Sequence, residues 1–489
     1  MDSGMLTKIN NVVFATLMAI LLLLFTAGSV SAEPKALVMK PFKQLSNQSK
    51  ECAACHKEKN PSIYAQWGRS KHYGANVGCY ECHKADPEDA DAIRHEGVDI
   101  AVIVSPKDCG SCHVQEVEEF DASHHAKAGQ IIGSLDNFLA EVVEGSLMLN
   151  GTSPAAVNGC WQCHGSEVNV LENGDLDPAT WPNTGIGRIN PDGSIGACSA
   201  CHQRHEFDMV QARRPEACGK CHLGPDHPQK EIYEESKHGI NFYAHVDQMN
   251  LGSAKWIVGE DYDSAPTCAT CHMSATRELP VTHDVGNRIS WTLRPAISEK
   301  IDAKDKALGK ETRPWEERRA DMQNVCQSCH TKSMVENFYV QFDSLVELYN
   351  EKFARPGKQL MAVLKEENML TETGFDEEIE WTWFYLWHHE GRRARHGAAM
   401  QAPDYVQWHG MYEVAERFYI EMVPQFLEVV EKAEQKGNHD GAVKARAVLA
   451  DILARPEHAW FSGNEPEEVK RARKEAQEAF KARYLDESK

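Results

Sequence analysis

The chain has 489 residues, enough for roughly two to four ordinary domains by length, and a formal net charge of -21. No basic block interrupts the acidic balance, so the positive surface that nucleic-acid binding needs is excluded, and a basic protein partner is the better electrostatic match. Sixteen Cys and 23 His are the unusual part of the composition.

The chain opens with Lys8, an apolar run from Val12 to Phe25, and the small-residue site Val30-Ser31-Ala32. That is the order of parts in a secretory signal peptide, so residues 1–32 are expected to be cleaved and the mature chain exported to the periplasm. An uncleaved anchor is the rival reading, but the run is short of a full bilayer span.

From residue 52 onward every Cys falls in a Cys-x-x-Cys pair, and His follows each pair directly. The pairs are Cys52/Cys55, Cys79/Cys82, Cys109/Cys112, Cys160/Cys163, Cys198/Cys201, Cys218/Cys221, Cys268/Cys271 and Cys326/Cys329. The adjoining residues are His56, His83, His113, His164, His202, His222, His272 and His330. Disulfides explain the Cys of an exported chain but not the His. Zinc ribbons use Cys-x-x-Cys but need no His beside it. Cys-x-x-Cys-His is the attachment pattern of haem c, so eight covalently bound haems are expected. Each motif His is the proximal ligand of its own iron.

The motifs lie 20 to 58 residues apart, too uneven for a solenoid or blade repeat. Residues 33–330 are expected to form an octahaem cytochrome c domain in which the haems themselves make the core and short helices and loops wrap them. Asn173 to Gly196, rich in Pro and Gly, reads as turns. Ser298 to Arg319 is strongly charged and reads as solvated surface. After His330 the Cys stop. Phe338, Phe342, Leu345, Tyr349 and Phe353 then recur at helical spacing, as do Met411, Val414, Phe418, Met422, Phe426 and Val429. Gly437-Asn438 and Arg455-Pro456 read as helix stops, and Pro466 as the first turn of a last, charged helix. Residues 331–489 are therefore expected to be a long-helix domain of antiparallel helices. The fold class is mainly α, with little β structure.

Fifteen His remain outside the motifs. His72 and His238 share a Ser-Lys-His setting, and His124, His125, His205, His283, His388 and His389 lie near motifs or aromatic helix faces. These eight are the candidate distal ligands. A second His on an iron makes an electron carrier, while an open position makes a catalyst. His439 and His458, near turn signals, are expected at the surface.

Eight motifs followed by a helical tail resemble the octahaem hydroxylamine oxidoreductase family. The resemblance runs through Cys160-Trp161-Gln162-Cys163-His164-Gly165-Ser166, Gly224-Pro225-Asp226-His227-Pro228, Trp387-His388-His389-Glu390-Gly391-Arg392-Arg393 and Ala402-Pro403-Asp404-Tyr405-Val406-Gln407-Trp408-His409-Gly410. It implies that the fourth haem, on Cys160 and Cys163, is five-coordinate and catalytic, and that the other seven have two His ligands each. It implies that Tyr405 cross-links to the catalytic haem of a neighbour in a homotrimer, a feature that favours oxidation over reduction. Asp226 and His227 match the family's distal pair. The implied substrate is hydroxylamine, the product nitric oxide or nitrite, and the acceptor a cytochrome c. Hydrazine dehydrogenation, octahaem nitrite or hydroxylamine reduction, and a non-enzymatic electron conduit remain as alternatives.

Overall fold

A computed structural model describes residues 44–133, 139, 142–144, 149 and 151–484; the expected signal peptide lies outside them. The described residues fall into two compact units, one up to Gly78 and the other from Cys79 onward.

The first unit is three short helices, Asn47–Lys59, Pro61–Arg69 and Lys71–Gly74. Their starts follow from the sequence. Ser46 and Ser70 cap two of them, each hydroxyl accepting a backbone N–H at 3.1 Å, from Ser49 and Tyr73. Pro61 begins the third, where its missing N–H costs nothing. Leu45, Ala53 and Trp67 form a small core with Tyr64 and Tyr73 against it.

In the second unit, residues 79–330 are short helices, turns and two small antiparallel sheets. Ala92–His95 pairs with Val98–Ala101, and Trp291–Thr292 with Glu299–Lys300. Glu96 and Gly97 both take positive φ, which the two-residue turn of the first hairpin requires. Between Gly165 and Ala197 the chain has turns and isolated bridges only, as its composition predicts. The mainly α fold with little β structure is thus observed.

Beyond residue 330 the elements lengthen without leaving this unit. Helical runs cover 332–366, 378–400, 403–435, 439–453 and 467–484. Three of them contain wider, π-helical turns, at Asn350–Ala354, Tyr385–Glu390, Gln407–Tyr412 and Arg417–Met422. The first and last of these precede Pro356 and Pro424. Proline cannot donate to the carbonyl four residues back, and a wider turn absorbs the displaced ladder. Val414, Phe418, Met422, Phe426 and Val430 pack with Tyr349, Phe353, Leu360, Leu364, Ile379, Leu386, Leu449 and Ile452 in one apolar cluster. The final helix, Glu467–Tyr484, buries nothing in this single chain. No described helix is long and apolar enough to cross a membrane.

Three expectations need correction. On the Lys332–Tyr349 helix Phe342 and Tyr349 are buried as expected, but Phe338 and Leu345 are only half-buried, and Val335, Tyr339 and Val346 take the other inner positions. His458 is 0 % exposed: its ring stacks on Phe418 and Nδ1 meets the Tyr419 hydroxyl at 2.8 Å. The charged stretch from Ser298 is solvated only in its middle. Ser298 and Asp302 are buried, and Arg319 pairs with Asp343 through both carboxylate oxygens at 2.7 Å.

Candidate active site

The motifs fold as single helical turns. His113, His202, His222 and His330 each donate a backbone N–H to the carbonyl of the first Cys of their own motif, at 2.9 to 3.0 Å. In such a turn residues i, i+3 and i+4 share one face, so both thiols and the imidazole point to one ligand. Three motif imidazoles are also oriented through Nδ1. His56 meets Asn60 Oδ1 at 2.8 Å, His83 the Ala101 carbonyl at 2.8 Å, and His272 the Val285 carbonyl at 3.2 Å. A partner on Nδ1 fixes the tautomer and leaves Nε2 for a metal.

The protein chain by itself covers the attachment cysteines unevenly. Thirteen of the sixteen are half-buried, whereas Cys55, Cys112 and Cys329 are exposed. Each has a local reason. Cys55 stands two residues beyond Ala53 on the Asn47–Lys59 helix, about 200° around from that buried position, so it faces away from the small core. Cys112 lies in the turn between the helices Pro106–Gly110 and Val114–Ala122, flanked by exposed Ser111 and His113. Cys329 follows exposed Gln327 and Ser328 past the end of the Trp315–Gln327 helix.

Several candidate distal His face motif His at the spacing an iron needs. Metal–imidazole bonds of about 2 Å place the centres of two trans rings about 6 Å apart. Ring centres are 6.4 Å apart for His83 and His205, 6.5 Å for His202 and His283, 6.1 Å for His238 and His330, and 6.1 Å for His125 and His222. Burial pushes His125 and His205 down to about 4 and His222 down to about 3. Those rings are neutral lone-pair donors at neutral pH, the form a ligand must take. The residues present therefore fit haem c. His72 lies on the Lys71–Gly74 helix of the first unit, and His124 precedes His125 beside Gly286. His388 and His389 sit on the π-helical turn Tyr385–Glu390, where burial lowers His389 to about 4.

The fourth motif is clasped by the Pro- and Gly-rich loop that follows it. Ile186 and Gly187 donate backbone N–H groups to the carbonyls of Cys163 and His164 at 3.0 and 3.1 Å. Gln162 donates to the Pro182 carbonyl at 3.0 Å and accepts from Thr184 at 3.0 Å. Gly165 makes the approach possible: its φ is +83°, and a Cβ there would fall 2.8 Å from Arg188 Cα.

Asp226 and His227 lie close enough to this motif for their charges to act on the Cys163 thiol. His227 Nδ1 is 2.5 Å from Asp226 Oδ1, and Arg392 Nη1 is 3.6 Å from Asp226 Oδ2. Burial alone would raise the Asp226 carboxyl. The hydrogen bond from His227, with the charges of His227, His388 and Arg392, outweighs it and holds the carboxyl at about 2. His227 also lies edge-on to His222, ring centres 6.0 Å apart. The thiols of Cys163 and Cys221, of Cys218 and Cys268, and of Cys109 and Cys198 lie near enough to influence one another's ionisation. Attachment as thioethers consumes those thiols, but the closeness of the attachment points remains.

Tyr405, on the helical turn Pro403–Val406, rests its backbone on Gly397, where a Cβ would lie 2.9 Å from the Tyr405 carbonyl carbon. Its ring sits 5.8 Å from that of His409, and burial, with Glu235 and Glu231 nearby, raises its hydroxyl. Sequence reasoning missed Arg392, Gln229 and His396 as parts of this region. His396 Nε2 is 3.3 Å from Gln229 Nε2. One signal was available: His388, Arg392 and His396 recur every fourth residue, which puts them on one helical face.

Residues 192–375 match the family described as seven times multi-haem cytochrome CxxCH, and residues 108–180 match cytochrome c554 and c-prime. A probable nitrite reductase-hydroxylamine oxidoreductase fusion protein of Kuenenia stuttgartiensis is 28% identical over 247 residues. That match covers 46% of this chain and 25% of the fusion protein, so the chain spans about a quarter of that relative's length. A solved structure named hypothetical multiheme protein superposes with a TM-score of 0.69 at 28% identity, covering 81% of this chain and 98% of the other. A chain of the reducing HAO-like protein complex of Kuenenia stuttgartiensis gives 0.58 at 19% identity over 81% and 89%, a likeness of fold alone. Together the matches support covalently bound c-type haem and electron transfer by a multihaem cytochrome.

Proposed function

We propose that the protein is an exported octahaem enzyme that oxidises hydroxylamine at its fourth haem site and passes the electrons to a cytochrome c. The observation that supports this reading is the hydrogen-bonded Asp226–His227 pair, whose charges reach the Cys163 thiol of the fourth motif. Haem, held there by Cys160, Cys163 and His164, supplies the electron-accepting centre. Oxidation of hydroxylamine releases a proton for each of the three electrons lost on the way to nitric oxide, and nitrite formation adds water and a fourth electron. The chain must therefore take up protons as electrons leave. With Nδ1–H donated to Asp226, His227 keeps Nε2 as its basic nitrogen, and Asp226 stabilises the imidazolium that forms. The carboxylate of Asp226 stays ionised at any working pH, so it acts as orienter and counter-charge. The mutual influence of the Cys163 and Cys221 thiols, and of the Cys218 and Cys268 thiols, supports onward transfer from motif four through motifs six and seven. His205, His283, His238 and His125 are proposed as distal ligands of the irons on His83, His202, His330 and His222. His72, His124, His388 and His389 are the candidates for the rest. Tyr405 is proposed to reach the catalytic haem of a second copy in a homotrimer, which makes the assembly part of the catalyst.

A reductive reading has its own support, since the fusion protein above carries nitrite reductase in its name. Steady-state assays of the purified haem-loaded protein separate the two. Hydroxylamine-dependent reduction of a cytochrome c, stronger than with hydrazine and lost together with a distinctive haem spectrum in Tyr405→Phe, is the expected result. Nitrite reduction with no hydroxylamine oxidation, or a Tyr405→Phe spectrum identical to wild type, would reverse the assignment.

A further inference from the structure

The turn that carries Asp226 and His227 is held from outside. The Gly391–Met400 helix meets it at two points one helical turn apart, Arg392 against Asp226 and His396 against Gln229. Arg392 is buried, and most of its guanidinium is engaged elsewhere. Its Nε donates to the Arg294 carbonyl at 2.7 Å, and its plane lies over Trp387 at 5.2 Å. Nη1 is the nitrogen that faces Asp226 Oδ2, at 3.6 Å. The two oxygens of Asp226 thus have separate partners, Oδ1 for His227 and Oδ2 for Arg392. A carboxylate hydrogen-bonded at one oxygen can rotate; an ion pair at the other oxygen opposes that rotation and so steadies the direction of the imidazole it orients.

We propose that Arg392 is a positioning residue for the proton-accepting pair, so that the working unit is Arg392–Asp226–His227. It rests on the reading of Asp226 and His227 as the proton acceptors. Arg392 acts only through Asp226. Its fork geometry is the essential property: the Arg294 carbonyl and Trp387 anchor one edge and one face while the other edge points at the carboxylate. Lysine keeps the charge but has no planar fork.

The test is a double-mutant cycle on the full-length, haem-loaded protein, read as hydroxylamine-dependent reduction of a cytochrome c. Arg392→Gln should lower kcat by up to about 100-fold, the scale of a misplaced reacting group, with KM nearly unchanged and the haem spectrum retained. Asp226→Asn should lower kcat at least as far. The double variant should be no worse than Asp226→Asn alone, and added guanidinium should restore part of the Arg392→Gln rate. If Arg392→Gln accumulates too little haem-loaded protein, Arg392→Lys takes its place in the cycle, with a smaller loss and the same non-additivity. Losses that multiply in the double variant, or an Arg392 variant with wild-type kcat, overturn the inference while leaving the proposed function intact. An Asp226→Asn variant with wild-type kcat overturns the reading of the pair itself.

Discussion

His238→Ala is the sharpest test of how the irons are held. The His238 and His330 ring centres are 6.1 Å apart and inclined at 44°. Two imidazoles bonded trans to one metal through bonds of about 2 Å have centres about 6 Å apart, so the spacing of the pair matches that of two ligands on one iron. His238 is fixed by the Lys237–Ala244 helix, whose start Ser236 caps by accepting the Gly239 N–H at 3.1 Å. Removing the imidazole leaves Cys326, Cys329 and His330 untouched, so the haem stays attached and loses one axial ligand. One haem, the one attached at Cys326 and Cys329, should then change from low to high spin. Low-temperature electron paramagnetic resonance and resonance Raman spin-state markers read this fraction, and intact mass confirms full haem loading. His238→Met should keep that haem low-spin and raise its potential, because a thioether ligand raises the potential of a His-ligated haem. The control is His245→Ala, seven residues on, whose ring is hydrogen-bonded to the Asn241 carbonyl of its own helix at 3.0 Å. A fully low-spin His238→Ala protein, or an equal change in His245→Ala, would refute the pairing.

Two further changes probe the fold. Phe418 is fully buried against Phe353 and His458, with ring centres 5.7 and 5.6 Å away. Phe418→Ala should cost about 3–5 kcal/mol in denaturation of the haem-loaded protein, and a loss below about 0.5 kcal/mol, the level of a surface change, would contradict its place in the core. Asp343 accepts from both terminal nitrogens of Arg319 and from Trp291 Nε1, all at 2.7 Å. Burial raises its carboxyl, but these partners outweigh burial and hold it below the usual range. A depressed folded value adds stability above the ordinary carboxylate range, and that stability is lost as pH falls through the lowered value. Asp343→Asn should therefore cost about 2 kcal/mol at neutral pH, less than the 3–5 for a fully buried pair because the carboxylate is partly exposed. The gap to wild type should close on acidification below about pH 4, and a pH-independent gap would show that the charge is not what matters there.

What the sequence made legible about the fold was local. Val414, Phe418, Met422 and Phe426 follow a helical period, and all four are buried. Gly437 closes the preceding helix with φ +96°, where glycine has no Cβ to strain. The π-helical turns were not legible, and they matter. Each inserts an extra residue into a turn and rotates the face that follows, so a strict period drifts past it. His458 was misplaced for a related reason. Its neighbours Arg455-Pro456 signal a turn correctly, but whether a turn is buried depends on what folds over it, here Phe418 and Tyr419 from nearly forty residues earlier. Cys55 and Cys112 show the reverse: their motifs mark the chemistry, but nothing within five residues says whether other chain will cover them.

The same division explains the site. The motif chemistry is complete within five residues, because one helical turn brings both thiols and the imidazole to one face. The opposing imidazole comes from anywhere the fold can bring it: His205 lies far downstream of His83, and His238 far upstream of His330. No local pattern encodes such a pairing, and the Ser-Lys-His setting of His238 predicts its helix cap rather than its partner. Arg392 shows the intermediate case. Its spacing from His388 and His396 marks a shared face, but not that the face looks onto Asp226. That depends on contacts between segments remote in sequence, among them the Arg392 Nε bond to the Arg294 carbonyl. A multihaem cytochrome assembled on local motifs thus keeps its ligand pairing in long-range geometry, and substitutions on the Gly391–Met400 helix should disturb the contacts to Asp226 and Gln229 more readily than haem attachment.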